Sequence, residues 1–173
     1  MVHNTGGPAG GPLLDADEDA VLAAIGRHLL TAHLLVRATL PGMRAAGFGR
    51  FVQVLSTSVR EPIEHLGVSN LTRAAVASWA KSISRELPPG VTINNVLPGY
   101  TDTERLGTLA EATARRRGVD VTQVRSEWLA AIPEGRLGEP DELGAVIAFL
   151  CSPEAGYVRG TSIPVDGGRL RSI

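Results

Sequence analysis

The sequence predicts an α/β fold in which helices cover both faces of a parallel sheet. Three observations carry that prediction. The runs FVQVL (51–55) and VTINNVL (91–97) and the segment 161–165 are short, β-branched and bounded by polar or turn residues, as buried strands are. Longer stretches with apolar residues at helical spacing separate them. Strands alternating with helices require right-handed crossovers, which lay successive strands parallel. At 173 residues, with 43% hydrophobic and 20% charged residues, the chain is long enough for one domain with its own core.

The elements follow in order. Residues 1–12 are rich in Gly and Pro and have no basic region leading into an apolar core, so they do not read as a signal peptide. Residues 15–46 read as a long helix: Val21, Ile25, Leu29, Leu35 and Leu40 fall near helical spacing. Asp15 followed by Glu18 resembles a capping box, and Pro41-Gly42 is expected to end or kink the helix. After the strand at 51–55, residues 70–87 predict a second helix with Leu71, Ala75, Ile83 and Leu87 on one face. Ala74, Ala77 and Ala80 would let another helix approach, and Pro88-Pro89-Gly90 stops it. The strand at 91–97 leads to helices at 103–114 and 121–131, with Gly118 between them. Pro140 suits the first turn of a further helix, in which Leu143, Val146, Ile147 and Leu150 repeat at i, i+3, i+4 and i+7. The last strand, 161–165, closes on Asp166-Gly167-Gly168.

Composition excludes several function classes. Lys+Arg 17 against Asp+Glu 18 gives a net charge of −1, which provides no basis for a nucleic-acid or acidic-membrane partner. The run Arg115-Arg116-Arg117 reads as a solvated helix face. No apolar run approaches the roughly 18 residues of a membrane span. A single cysteine, Cys151, excludes an internal disulfide and fits a reducing cytoplasm. His3, His28, His33 and His65 lack metal-ligand spacing, and no G-x-S-x-G elbow is present, so neither a metal centre nor a serine-hydrolase site is expected.

Five segments in order carry a resemblance to one family. They are His3-Asn4-Thr5-Gly6-Gly7, Leu40-Pro41-Gly42-Met43, Asn94-Asn95-Val96-Leu97-Pro98-Gly99 followed by Thr103, Gly135-Arg136-Leu137-Gly138-Glu139-Pro140, and Val165-Asp166-Gly167-Gly168. Together they resemble the short-chain dehydrogenase/reductase family, in the style of 3-oxoacyl-carrier-protein reductases. The resemblance implies a partial Rossmann-like, doubly wound parallel sheet holding the family's strands four to seven with their helices. The N-terminal strands, and with them the Gly-rich turn that grips a pyrophosphate, are expected to be absent, which makes 1–173 a single incomplete domain. Neither Gly6-Gly7 nor Gly10-Gly11 fits G-x-G-x-x-G. An uncovered sheet edge at that point would need another polypeptide to cover it.

By the same resemblance, NAD or NADP is the implied cofactor, with Asn4 and Gly6 beside it and Pro98, Gly99 and Thr103 near the nicotinamide. The family moves a hydride between nicotinamide and a carbonyl or alcohol carbon, with a tyrosine as acid, a lysine that lowers its pKa, a serine that orients the substrate oxygen and an asparagine that holds a water chain. Ser56 stands at the serine position. Ser69 stands in place of the tyrosine, Arg73 in place of the lysine and His28 in place of the asparagine. A serine hydroxyl is far less acidic than a phenol and a ring shorter, and arginine does not relay protons as lysine does. The usual proton step is therefore not supported.

Each residue carries two readings. Ser56 orients substrate or caps the strand end. Ser69 sits at the substrate or caps a helix. Arg73 binds a carboxylate or phosphate, or pairs with a nearby acid. His28 moves a proton or is a satisfied helix histidine. Tyr100 is a surrogate acid, or else a pocket wall or a surface residue. The helix at 70–87 is a subunit interface of a homo-oligomer or packs within one subunit. The resemblance implies an NAD(P)-dependent oxidoreductase acting on a carbonyl or hydroxyl group of a small-molecule substrate, with residues 101–132 as its substrate lid. The alternative is a catalytically inactive remnant or partner subunit that binds no cofactor alone.

Overall fold

The computed structural model describes residues 1–172. Its centre is a four-stranded parallel sheet: β1 (Val2–His3), β2 (Gly49–Val54), β3 (Val91–Pro98) and β4 (Ser162–Val165), hydrogen-bonded in chain order. The helices are α1 (Glu18–Ile25), α2 (Thr31–Ala46), α3 (Gly67–Glu86), α4 (Glu104–Arg117), α5 (Val121–Ala130) and α6 (Pro140–Cys151). A π-turn, Gly26–Leu30, joins α1 to α2 without a break.

Alternation along the strands sorts side chains to two faces. Phe51, Val91 and Ile93 pack with Val36 of α2 and Ala80 of α3 on one face. Val52 and Val96 pack with Leu150 of α6 on the other. The predicted α/β architecture, with helices on both faces of a parallel sheet, is the one observed.

Several boundaries differ from expectation. Asp17, not Asp15, caps the long helix, its Oδ1 accepting from Ala20 N–H at 2.7 Å; Asp15 lies in a preceding 3-10 turn. Pro41 neither ends nor breaks α2, which runs on to Ala46 and closes on Gly47 at φ 64°. The proline is exposed, so water can satisfy the carbonyl its ring leaves free. Helix α3 begins at Gly67 rather than 70, and its buried stripe is Val68, Thr72, Val76, Ala80 and Ser84. Leu71, expected to share one face with Ala75, Ile83 and Leu87, is 42% exposed. The polar Thr72 and Ser84 masked the true stripe in the sequence.

The expectation that no segment is apolar enough to span a membrane also needs correction. The continuous helix Glu18–Ala46 has 29 residues and an 18-residue window of mean hydropathy 1.3, which meets the requirement by length and composition. In the fold, Ala24, His28, Ala32 and Val36, one every four residues, form its buried side.

Candidate functional site

The three strands β1, β2 and β3 end on the same side of the sheet, and the loops that leave them enclose a cavity of about 610 Å³. Crevices outside the carboxyl ends of parallel strands are where α/β sheets bind ligands. Of the residues singled out in the sequence, Asn4, Gly6, Ser56, Ser69, Arg73, Pro98, Gly99 and Thr103 all line this cavity. His28 does not.

Each is placed by a local device. Ser56 follows β2 and caps a short 3-10 turn, its Oγ accepting from Ser58 N–H at 3.0 Å. Thr103 is the N-cap of α4, its Oγ1 accepting from Leu106 N–H at 3.3 Å. Gly99 is held by Gly99 N–H donating to Val165 O at 2.9 Å. A Cβ there would lie 2.6 Å from Asp166 Cβ and 2.7 Å from its Cα, so the loop after β3 reaches the loop after β4 only as glycine. Ser69 does not cap α3. Leu66 occupies that position, and Ser69 lies in the first turn, where its Oγ accepts from Arg73 Nε at 3.3 Å.

Arg73 is anchored against the end of β2. Its Nη1 donates to Val54 O at 3.1 Å and to Leu55 O at 3.0 Å. Burial, and then the neighbouring Arg105 cation, push its pKa below the ordinary guanidinium value. The alternative of an acidic partner is not realised: no ion pair among the described residues includes Arg73.

His28 is a strut. It sits in the π-turn, 2% exposed, with Nε2 donating to Gly6 O at 3.1 Å and Nδ1 bonded to Thr72 Oγ1 at 2.8 Å. Burial lowers its pKa, the Gly6 carbonyl opposes that, and the cations of Arg73 and Arg27, with His3 when protonated, lower it further. Nε2 carries the proton in the neutral ring, since the Gly6 carbonyl only accepts; Nδ1 lies against the Thr72 hydroxyl, which also reaches Val68 O at 2.8 Å. This ties the loop after β1 to the long helix and to α3, behind the cavity.

Sequence reasoning missed two features. Arg105, in the first turn of α4, lines the cavity and donates through Nη2 to Pro8 O at 3.3 Å. It belongs to no motif, so no sequence signal marked it. The second is a polar row in register across the whole sheet: His3 opposite Gln53, Gln53 opposite Asn95, Asn95 opposite Ser162. His3 Nδ1 meets Gln53 Oε1 at 2.8 Å, and Asn95 Nδ2 donates to Ser162 Oγ at 2.9 Å.

Tyr100 does not line this cavity. Its ring stacks on Trp128 of α5 at 4.8 Å between centroids, with the Arg169 guanidinium carbon 4.7 Å from the ring centre. It forms a wall of an adjoining groove between the loop at 63–66 and helices α4 and α5.

A family model described as Enoyl-(Acyl carrier protein) reductase matches residues 1–169. The Short-chain reductase protein NovJ of Streptomyces niveus is 37% identical over 130 residues, covering 73% of this chain and 47% of NovJ. The 3-oxoacyl-[acyl-carrier-protein] reductase FabG of Vibrio cholerae is 32% identical over 171 residues, covering 97% of this chain and 65% of FabG. Among solved structures, YwfH, an NADPH dependent reductase involved in bacilysin biosynthesis, superposes with TM-score 0.93 at 25% identity over 99% of this chain and 66% of that one. The F189W actinorhodin polyketide ketoreductase with NADPH superposes with TM-score 0.92 at 26% identity, over 99% and 67%. The chain thus spans about half to two thirds of the length of these relatives.

Proposed function

Because this chain belongs to the short-chain dehydrogenase/reductase family, we propose that it forms the nicotinamide and substrate walls of an NAD(P)-dependent oxidoreductase site for a carbonyl or hydroxyl group of a small molecule. The convergence of Asn4, Gly6, Ser56, Pro98, Gly99 and Thr103 on one cavity at the strand ends carries this reading. The fit to the cofactor is partial. Those residues suit its nicotinamide end. Among the described residues no Gly-rich turn leads from a strand straight into a helix: the chain leaves β1 at His3 and first enters an α-helix at Glu18. The pyrophosphate is then held by a segment outside these residues, and 1–173 is one part of a domain.

When bound, the cofactor supplies or takes the hydride. The chain's own residues orient and enclose. Ser56 directs the substrate oxygen, and the strut from His28 to Gly6 O fixes the loop on which Asn4 sits. Ser69 and Arg73 hold the floor of the site without acting as an acid and its activator.

A second reading, a non-catalytic partner subunit, is favoured by one observation. The hydroxyl of Ser69 and two guanidinium nitrogens of Arg73 are already engaged inside the fold. In either case association runs through the long helix and α3, whose Leu22, Leu30, Leu34 and Leu71 are more than two-fifths exposed. The single free Cys151 accords with a cytoplasmic setting.

Reading the DNA upstream of the Met1 codon separates the two. An in-frame segment encoding a strand and then Thr-Gly-x-x-x-Gly-x-Gly is expected, and the longer product should oxidise NADPH or NADH with a carbonyl substrate. An in-frame stop just upstream, or a longer product without turnover, leaves the partner-subunit reading. Calorimetry of the 173-residue chain with either cofactor should show no binding below millimolar concentration; clear affinity would overturn the view that the phosphate grip lies elsewhere.

A further inference from the structure

We propose that Arg73 and Arg105 form a carboxylate-binding site beside Gly7, so that the ligand is a carbonyl or hydroxyl compound bearing a carboxylate. This rests on the reading of the cavity as a substrate site and narrows its substrate class.

The two guanidinium groups come from different elements, α3 and α4, and converge on one point. A Cβ built on Gly7 would lie 3.4 Å from Arg105 Nη2 and 3.8 Å from Arg73 Nη2. Nothing acidic answers them. The cavity lining contains no Asp or Glu, and the ion pairs among the described residues use Arg115, Arg117 and Arg136 instead. Two like charges facing one cavity without a counter-ion repel each other, and an anion between them relieves that repulsion. The burial of Arg73 strengthens the attraction, because less water screens it.

Donor arithmetic selects the anion. Arg73 has Nε and Nη1 committed to Ser69, Val54 and Leu55, which leaves Nη2 to face the cavity. Arg105 presents the same atom, Nη2, which bonds Pro8 O through one N–H and keeps its second. One Nη2 donor from each guanidinium suits the two oxygens of a planar carboxylate better than the three oxygens of a phosphate dianion. The Ser56 and Ser69 hydroxyls line the same cavity and offer a place for the carbonyl or hydroxyl oxygen.

The test uses the full chain without cofactor, so it is independent of turnover. Titration calorimetry compares acetoacetate, its neutral methyl ester and inorganic phosphate at fixed ionic strength. Acetoacetate should bind, the ester should bind about tenfold more weakly or not at all, and phosphate should rank below acetoacetate. Arg105→Gln, on an exposed side chain, should weaken acetoacetate about tenfold and leave the ester unchanged. Gly7→Ala places a methyl group between the two cations at ordinary contact distance and should weaken acetoacetate with both charges intact. Equal binding of acid and ester, phosphate above acetoacetate, or acetoacetate affinity unmoved in both variants would overturn the proposal. A longer product that turns over NADPH poorly would count against the catalytic reading and leave the acid–ester contrast standing.

Discussion

The cavity has two halves built by different means. One half is backbone: Gly6, Pro98, Gly99 and the start of α4 under the Thr103 cap hold their places because of where the chain can pass. The other half is side chain: Ser69 and Arg73 line it, His28 braces it from behind, and all three bond within the fold. The first half holds the residues that the sequence resemblance places at the cofactor, and the second holds Ser69, Arg73 and His28, whose types depart from it. The difference teaches that the shape of such a site depends on small residues and caps, whereas its chemistry depends on a few donors whose loss need not disturb the shape.

The largest effect should come from breaking the side-chain half. Arg73→Met removes the donors to Val54 O and Leu55 O and leaves both carbonyls short of a partner in a half-buried setting. Hydrogen bonds from charged donors contribute about 1.5–3 kcal/mol each, so a loss of about 3 kcal/mol is expected in chemical denaturation. A loss under about 1 kcal/mol would mean that these two bonds do not hold the fold.

The backbone half should be next. Gly99→Ala drives a methyl group into the backbone and Cβ of Asp166, at 2.7 Å and 2.6 Å. Overpacking of this kind costs about 1–3 kcal/mol. The same denaturation measurement checks it, and an unchanged midpoint would show that the two loops can separate freely.

The sequence revealed the backbone half better than the side-chain half, for a physical reason. Pro-Gly after a β-branched strand, or Thr before a helix, is a local signature, and Pro98, Gly99 and Thr103 all line the cavity. Arg105 and the sheet-wide row from His3 to Ser162 are long-range coincidences, visible only when the strands are in register. The family resemblance singles out His28, but its direction is not legible in the sequence, because a π-turn shifts the helical phase at that residue. The buried stripe of α3 was mis-phased because two of its members, Thr72 and Ser84, are polar.

A pH scan sharpens the account of His28. Burial lowers the pKa of both His28 and His3. Well above pH 7 both are neutral in the folded and unfolded chain alike. Below the ordinary histidine value of about 6.5 the unfolded chain takes protons first, so stability is lost as pH falls. The melting temperature should fall between pH 7 and pH 5, and His28→Asn should flatten part of that slope. An unchanged slope would place the titration entirely on other groups.

The smallest effect belongs to a charged pair outside the cavity. Arg136 donates to both oxygens of Glu142 at 2.8 and 2.7 Å, and Glu139 N–H adds a bond at 2.8 Å. These contacts, the guanidinium first, hold the Glu142 pKa at about 2. A depressed carboxylate stabilises the fold above its ordinary pKa, and that contribution fades as pH drops from about 4.5 toward 2. Both side chains are about half exposed, so water and salt screen most of it. Arg136→Gln should therefore leave the melting temperature at pH 7 nearly unchanged and soften the acid limb slightly at low salt. A large loss at neutral pH would show that the turn before α6 depends on its side chains as the floor of the cavity does, and the division between backbone-built and side-chain-built regions would have to be redrawn.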